Sequence, residues 1–370
     1  MAKKIKITYI MPSMARGGAE RFLIDLIDNL NKDIFEPSVI IFKEKGAGYN
    51  ELQTLNIQIT VLEKKSTIDF HNILNIIRQL KNDKPDIVHT QLGGDLRGRL
   101  AAKLAGVKVI ISTEQNTNFN EAISRRLVKI FTSCLADKII AISPAVARDM
   151  KHRYLLPKHK CNQIIPNGIN LSNFIFNETR PGKVPLIVGG VGRLTAQKGF
   201  DLLIEAWKRL KLDNIRLIIA GSGPDKDNLN RQIIKNNLTQ QIQLSGDVAD
   251  MSDFYQHLDL FVMPSRWEGL GIAALEAGAC GVPVVASAVG GLSDFITEET
   301  GWTFKVGDID SLKYAITDAI TAIKSNKTNS KQIKLRSLIV EKFSIQQVAL
   351  AYEKLYLELF KEKYEDSSSK

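Results

Sequence analysis

Short apolar runs alternate with stretches of helical spacing along the whole chain, and the pattern starts twice. Residues 4–11 alternate into an apolar strand, Pro12–Arg21 forms a glycine-bearing loop, and Phe22, Leu23, Leu26, Ile27 and Leu30 recur at helical spacing. The same order restarts far downstream, with a strand at Leu186–Val191, a loop at Gly192–Gly199 and a helix at Phe200–Leu210. Strands are predicted between these starts at Pro37–Phe42, Ile57–Leu62, Asp86–His89, Val107–Ser112 and Lys138–Ile142, separated by helices at Phe70–Asn82, Leu96–Ala105, Ala122–Ala136 and Pro144–His152. After the restart come strands at Ile215–Ala220, Ile242–Leu244, Leu258–Met263, Val282–Ala286 and Gly301–Phe304, with helices at Lys226–Asn236 and Ser311–Ile323. Such alternation requires parallel sheets covered on both faces.

A chain of 370 residues exceeds what one core usually supports, so two domains are expected. The fold class is α/β, with two doubly wound Rossmann-like domains facing across a cleft. The boundaries predicted are a first domain over 1–168, a linker over 169–185 marked by Pro166-Asn167-Gly168, a second domain over 186–343, a terminal amphipathic helix over 344–364 and a disordered tail over 365–370. No apolar run approaches the roughly 20 residues that span a bilayer. The first strand begins too early to leave room for a signal peptide. Cys134, Cys161 and Cys280 have no metal spacing, which fits a reducing cytoplasm.

The net charge of +10 is lopsided. Residues 1–170 hold 26 Lys and Arg against 16 Asp and Glu, whereas residues 171–370 hold 24 of each. The first half is suited to an anionic surface or acceptor, and equally reads as a solvated basic face. Zinc spacing, aromatic RNA-binding signatures and recognition-helix patterns are absent from the sequence, which argues against nucleic acid.

Pro264-Ser265-Arg266-Trp267-Glu268-Gly269-Leu270-Gly271 follows a buried-strand pattern and opens a helix containing Glu276. Such a turn presents unpaired N–H groups and a positive helix end to one point, while two carboxylates bracket it. A ligand with a phosphate and a polyol fits, since carboxylates accept from hydroxyls. A Glu near a helix start is also ordinary dipole complementation. In the loop at 192–199, Arg193 and Lys198 flank the turn between strand end and helix start and suit a diphosphate, or are two solvated charges. Gly17-Gly18 permits close backbone approach to a ligand or makes a tight turn. Gly221-Ser222-Gly223 and Ser245-Gly246-Asp247-Val248 are further turns at strand ends.

Glu-x7-Glu with its internal Gly-x-Gly, preceded by Gly-Arg-Leu-x-x-x-Lys-Gly, resembles retaining glycosyltransferases of family 4, which have the GT-B fold. The match runs over essentially the whole chain. The resemblance implies that Arg193 and Lys198 hold a donor diphosphate and stabilise the leaving group, and that Glu268 meets the donor sugar. It implies that amides of Gly269, Leu270 and Gly271 take phosphate, that Glu276 takes ribose hydroxyls, and that Gly192, Gly221 and Val248 line the nucleotide site. Gly17 and Gly18 are expected to close over the diphosphate from the first domain, and the terminal helix to cross back to that domain. Arg16, His89, Gln115 and Asn116 are the acceptor-side candidates. Gln115 stands where the family commonly carries His, and Gln cannot act as a base. In the front-face mechanism the leaving phosphate oxygen takes the proton instead. His89 ends a strand facing the cleft, where a lone His is more often a hydrogen-bonded structural residue. Asp308-Ile309-Asp310 reads as a helix cap away from the glycine loops, so no metal site and no cofactor are expected.

The implied activity is transfer of a hexose or N-acetylhexosamine from a nucleotide-diphosphate sugar, UDP-sugar ahead of GDP-mannose, to a glycan or lipid-diphosphate-linked acceptor of surface polysaccharide synthesis. The expected setting is cytoplasmic, with peripheral attachment at the inner face of a membrane. A nucleotide-sugar 2-epimerase and a silent nucleotide-sugar-binding module are the alternatives.

Overall fold

In a computed structural model the chain is described over residues 3–15, 17–62, 70–117, 123–154, 160, 163–177, 184–210 and 214–365. Arg16, Cys161, linker positions 178–183 and tail positions 366–370 lie outside the described residues. The chain divides into two compact units, one of residues 1–168 with 345–370 and one of residues 169–344.

The first unit is a seven-stranded parallel sheet in the order β3-β2-β1-β4-β5-β6-β7. Its strands are β1 (Ile5–Ser13), β2 (Phe35–Glu44), β3 (Gln58–Val61), β4 (Ile87–Gln91), β5 (Val109–Glu114), β6 (Lys138–Ala141) and β7 (Gln163–Ile164). Helices α1 (Gly18–Asn29), α2 (Tyr49–Gln53), α3 (Phe70–Asp83), α4 (Asp95–Ala105), α5 (Ile123–Ser133) and α6 (Pro144–Tyr154) fall between them. The central strands β4 and β5 are buried at every position, with apolar residues in their first half and buried polar residues toward their carboxyl ends.

The second unit is a six-stranded parallel sheet in the order β10-β9-β8-β11-β12-β13. It comprises β8 (Leu186–Val191), β9 (Ile215–Ala220), β10 (Ile242–Gly246), β11 (Leu260–Met263), β12 (Val284–Ser287) and β13 (Trp302–Phe304). Its helices are α7 (Phe200–Arg209), α8 (Lys226–Lys235), α9 (Met251–Gln256), α10 (Ile272–Ala279), α11 (Ile309–Lys324) and α12 (Asn329–Phe343).

Both sheets start their strands with the same device. An Asp just ahead of one strand accepts the backbone N–H at the start of its neighbour. Asp86 takes Lys6 N at 2.9 Å, Asp137 takes Ile110 N at 2.8 Å, and Asp259 takes Ile187 N at 2.8 Å. Each bond fixes register where the ladder would otherwise leave a donor unpaired.

The terminal helix α13 (Ile345–Glu365) belongs to the first unit, as expected of the fold class. Its stripe of Ile345, Val348, Ala349, Tyr352, Leu355, Tyr356 and Leu359 enters one core with Tyr9, Phe22, Ile87 and Ile111. α12 was not predicted. Its buried positions Gln332, Leu335, Ile339 and Phe343 include a polar residue and are separated by lysines, which blurs the apolar stripe. Among the described residues no helix is long and apolar enough to cross a membrane.

His89 ends up inside this first core. It is fully buried, with Nδ1 2.7 Å from the Tyr356 hydroxyl and Nε2 2.8 Å from Thr113 Oγ1. Both ring nitrogens are therefore engaged, and neither faces a ligand. The residue joins the sheet to α13, and the Tyr9 hydroxyl extends the chain of bonds, 3.1 Å from that of Tyr356.

Burial holds the His89 imidazole down at about 3, against 6.5 in water. The unfolded chain takes up this proton as pH falls through 6.5, and the folded chain does so only near 3. The contribution to stability is thus complete above 6.5 and declines by about 1.4 kcal/mol per pH unit below it. Urea unfolding at pH 7 and pH 5 should show His89→Gln losing less stability on acidification than the parent, by about 2 kcal/mol. Equal losses would mean that His89 is protonated in the fold.

Candidate active site

In the second unit the strand order reverses between β8 and β11, the position at which open α/β sheets bind ligands beyond the carboxyl ends of their strands. The loop after β11 carries Glu268. This residue is buried, and its Oε1 accepts from Ser265 Oγ at 2.8 Å and from Lys198 Nζ in a short ion pair. Oε2 accepts nothing among the described residues. Lys198 comes from the loop after β8, so the ion pair ties the two strand ends together across the reversal. Gln197 reinforces it, accepting from Arg266 N at 2.7 Å and donating to Trp267 O at 3.1 Å. Arg266 grips Asp201 with both terminal guanidinium nitrogens, at 2.7 and 2.6 Å.

α10 opens directly after this turn. Its cap residue Gly271 is left-handed at φ +94°, which a side chain would strain, and no side chain caps the helix. Among the described residues the amides of Gly269, Leu270, Gly271, Ile272 and Ala273 find no acceptor, the first inward bond being Ala274 N to Gly271 O at 2.9 Å. Consecutive unpaired donors at a helix start can accept an anion. The loop after β12 holds this turn from behind. Gly290 has φ +52°, and a Cβ there would lie 1.9 Å from the carbonyl oxygen of Glu268. Gly290-Gly291 was not among the residues predicted to matter, although Gly-Gly after a strand was visible.

Loops after β8, β9 and β10 are stitched side by side. Gly192 N donates to Ala220 O at 3.0 Å, Leu194 N to Ser222 O at 2.9 Å and Gly221 N to Gly246 O at 2.7 Å. Gly192, Gly221 and the half-buried Val248 therefore follow three adjacent strands at the same edge. Arg193 projects from this row, exposed and without an ion-pair partner among the described residues. Glu276, near the middle of α10, accepts from the Tyr255 hydroxyl at 2.8 Å. Burial, with the Glu276 charge adding to it, pushes that phenol well above its usual range, so it stays a donor. Tyr255 carried no sequence signal of this role. Asp308 caps α11 by accepting Ser311 N at 3.0 Å, and Asp310 pairs with Arg209. Among the described residues no cluster of His, Cys, Asp and Glu is placed to hold a metal ion.

In the first unit, Gly17 is the cap position of α1 and Gly18 its first residue. Burial raises the Glu20 carboxyl in that same turn. Gln115 is buried at the end of β5, where its Oε1 accepts from Asn167 Nδ2 at 2.7 Å, and Asn116 beside it is exposed. Gln91, at the end of β4, was not predicted. It is fully buried, and both atoms of its side-chain amide lack partners among the described residues.

Residues 172–336 match the family described as glycosyl transferases group 1, and residues 16–173 match glycosyltransferase family 4. A lipopolysaccharide core biosynthesis mannosyltransferase, LpsB of Rhizobium meliloti (strain 1021), is 31% identical over 72% of this chain and 76% of its own length. The UDP-Gal:alpha-D-GlcNAc-diphosphoundecaprenol alpha-1,3-galactosyltransferase of Escherichia coli is 26% identical over 96% of this chain and 97% of its own. Among solved structures, Anabaena Alr3699/HepE in complex with UDP and glucose superposes with a TM-score of 0.83 at 20% identity, covering 96% of this chain and 100% of that one. The fold is thus that of GT-B enzymes.

Proposed function

Because this chain belongs to the family 4 glycosyltransferases, we propose that it is a retaining enzyme moving a hexose or N-acetylhexosamine from a UDP-sugar to a lipid-diphosphate-linked glycan. The observation carrying this reading is the row of five unpaired amides beside the Lys198–Glu268 pair. The amides and Arg193 meet the diphosphate. Glu268 Oε2 accepts a sugar hydroxyl. Glu276, oriented by Tyr255, accepts from the ribose. An ammonium has three N–H donors, so Lys198 keeps its bond to Glu268 while giving another to a phosphate oxygen. GDP-mannose is the second choice of donor.

Chemically, the bond from sugar C1 to the phosphate oxygen breaks and a bond from an acceptor hydroxyl oxygen to C1 forms. The hydroxyl proton passes to the departing phosphate oxygen, which makes a side-chain base unnecessary and suits Gln115. Negative charge grows on the diphosphate as the bond breaks, and Arg193, Lys198 and the helix start stabilise that charge most at this point. Two cations and a helix start supply the neutralisation a divalent ion would otherwise give. The UDP preference and the lipid-diphosphate acceptor follow the E. coli galactosyltransferase relative, and the basic first half of the chain suits an anionic acceptor.

The test is product analysis. The enzyme should convert an α-linked UDP-sugar and a synthetic diphospholipid-linked sugar into a new glycoside whose anomeric proton coupling is that of the α form. A β-linked product would contradict retention, and an isomerised donor formed without acceptor would point to an epimerase.

A further inference from the structure

Lys198 ends a single 3₁₀ turn, Ala196–Lys198, in the loop between β8 and α7. A turn of three residues has no interior, so most of its carbonyls find no donor within it. Its own bond is Lys198 N to Thr195 O at 3.0 Å, and the Thr195 side chain does not cap it. An ammonium that neutralises a leaving group must nevertheless be held to well within an ångström.

One residue supplies what the turn lacks. Arg266, in the loop after β11, donates from Nη1 to Ala196 O at 2.8 Å and from its backbone N to Gln197 O at 2.7 Å. The same fork holds both carboxylate oxygens of Asp201, in the first turn of α7. The chain is thus gripped on both sides of Lys198, before it at Ala196 and Gln197 and after it at Asp201. Gly199, at φ +66°, lets the backbone pass between them, since a Cβ there would lie 2.1 Å from Pro264 O. The Arg266–Asp201 pair is a weak source of stability, because its side chains are 30% and 44% exposed. Arg266 is also poorly placed to take a phosphate itself. The space beside it, about 230 Å³, is lined by Asp201 and Asp225, whose charges repel an anion.

We propose that Arg266 is a positioning residue for transfer, fixing the Ala196–Lys198 turn so that Lys198 Nζ stays between Glu268 and the leaving diphosphate. A lysine at 266 would keep the charge but lose the planar fork that spans Ala196 O and Asp201. The consequence for transfer rests on the donor reading, whereas the grip on the turn does not.

Amide hydrogen exchange followed by NMR tests the grip without donor or acceptor. Arg266→Lys and Arg266→Ala should each speed exchange of the Lys198 amide roughly tenfold or more, and leave Leu194, which is bonded to Ser222 O, at the parent rate. Initial rates test the consequence. In both variants kcat should fall about 10–10²-fold, with a smaller change in donor KM, because the charge Lys198 meets grows as the bond breaks. A merely structural pair would be rescued by lysine and would lower the melting temperature rather than kcat. In the Lys198→Met background the same changes at 266 should cost almost nothing further. An unchanged Lys198 amide would overturn the proposal. So would a full further loss in the Lys198→Met background, which would make Arg266 a ligand-binding group in its own right. A parent enzyme that transfers nothing would refute the donor reading, and the exchange rates would still decide the grip.

Discussion

Replacing Lys198 with methionine should lower transfer about 10²–10³-fold, the usual cost of removing one donor to developing transition-state charge. It should also destabilise the fold, because the side chains of Lys198 and Glu268 are only 18% and 7% exposed and the carboxylate would keep Ser265 alone. The expected loss is about 3 kcal/mol. The pair has a diagnostic second half. In Lys198→Met/Glu268→Gln no buried charge is left unpaired, so most of that stability should return while transfer stays low. A purely structural ion pair would behave differently, with activity recovering alongside stability. Urea unfolding and initial rates on the four members of the cycle separate the two outcomes.

Arg193→Ala should show activity loss without stability loss. Arg193 is exposed and has no ion-pair partner among the described residues, so truncation should change unfolding free energy by no more than about 0.5 kcal/mol. Its expected cost is about 10²-fold in kcat/KM, since a guanidinium fork on a diphosphate makes paired charge-assisted bonds. The contrast between the neighbouring cations is the informative part. One is bound into the fold by Glu268, and the other is held out at the edge of the loop row.

Much of this arrangement was legible in the sequence because it rests on local pattern. Strand–glycine loop–helix units are short-range features, and the two starts at β1 and β8 gave both sheets. Glu268, Gly269 and Gly271 were readable because strand, turn and helix start are consecutive. What escaped came from distant pairing. His89 could be read as a hydrogen-bonded structural residue at a strand end, but its partners could not be named, since Thr113 and Tyr356 arrive from 24 and 267 residues away. The Lys198–Glu268 contact spans 70 positions, so the two could be named separately but not joined. Tyr255 sits on the six-residue helix α9, too short for periodicity to reveal. The aspartates that fix strand register were visible just ahead of three strands, but the N–H donors they serve appear only when neighbouring strands are paired.

The central claim is that the β8 and β11 loops of the second unit form a nucleotide-diphosphate site working through Arg193, Lys198 and the α10 amides. The most direct test is UDP titration of the parent and Arg193→Ala by thermal unfolding, with and without EDTA. At 100 times its dissociation constant a ligand adds about 2.7 kcal/mol. The parent should be stabilised equally in both buffers, and Arg193→Ala should need a much higher UDP concentration for the same shift. No stabilisation of the parent by UDP or GDP at millimolar concentration, or a shift identical in the variant, would contradict the account.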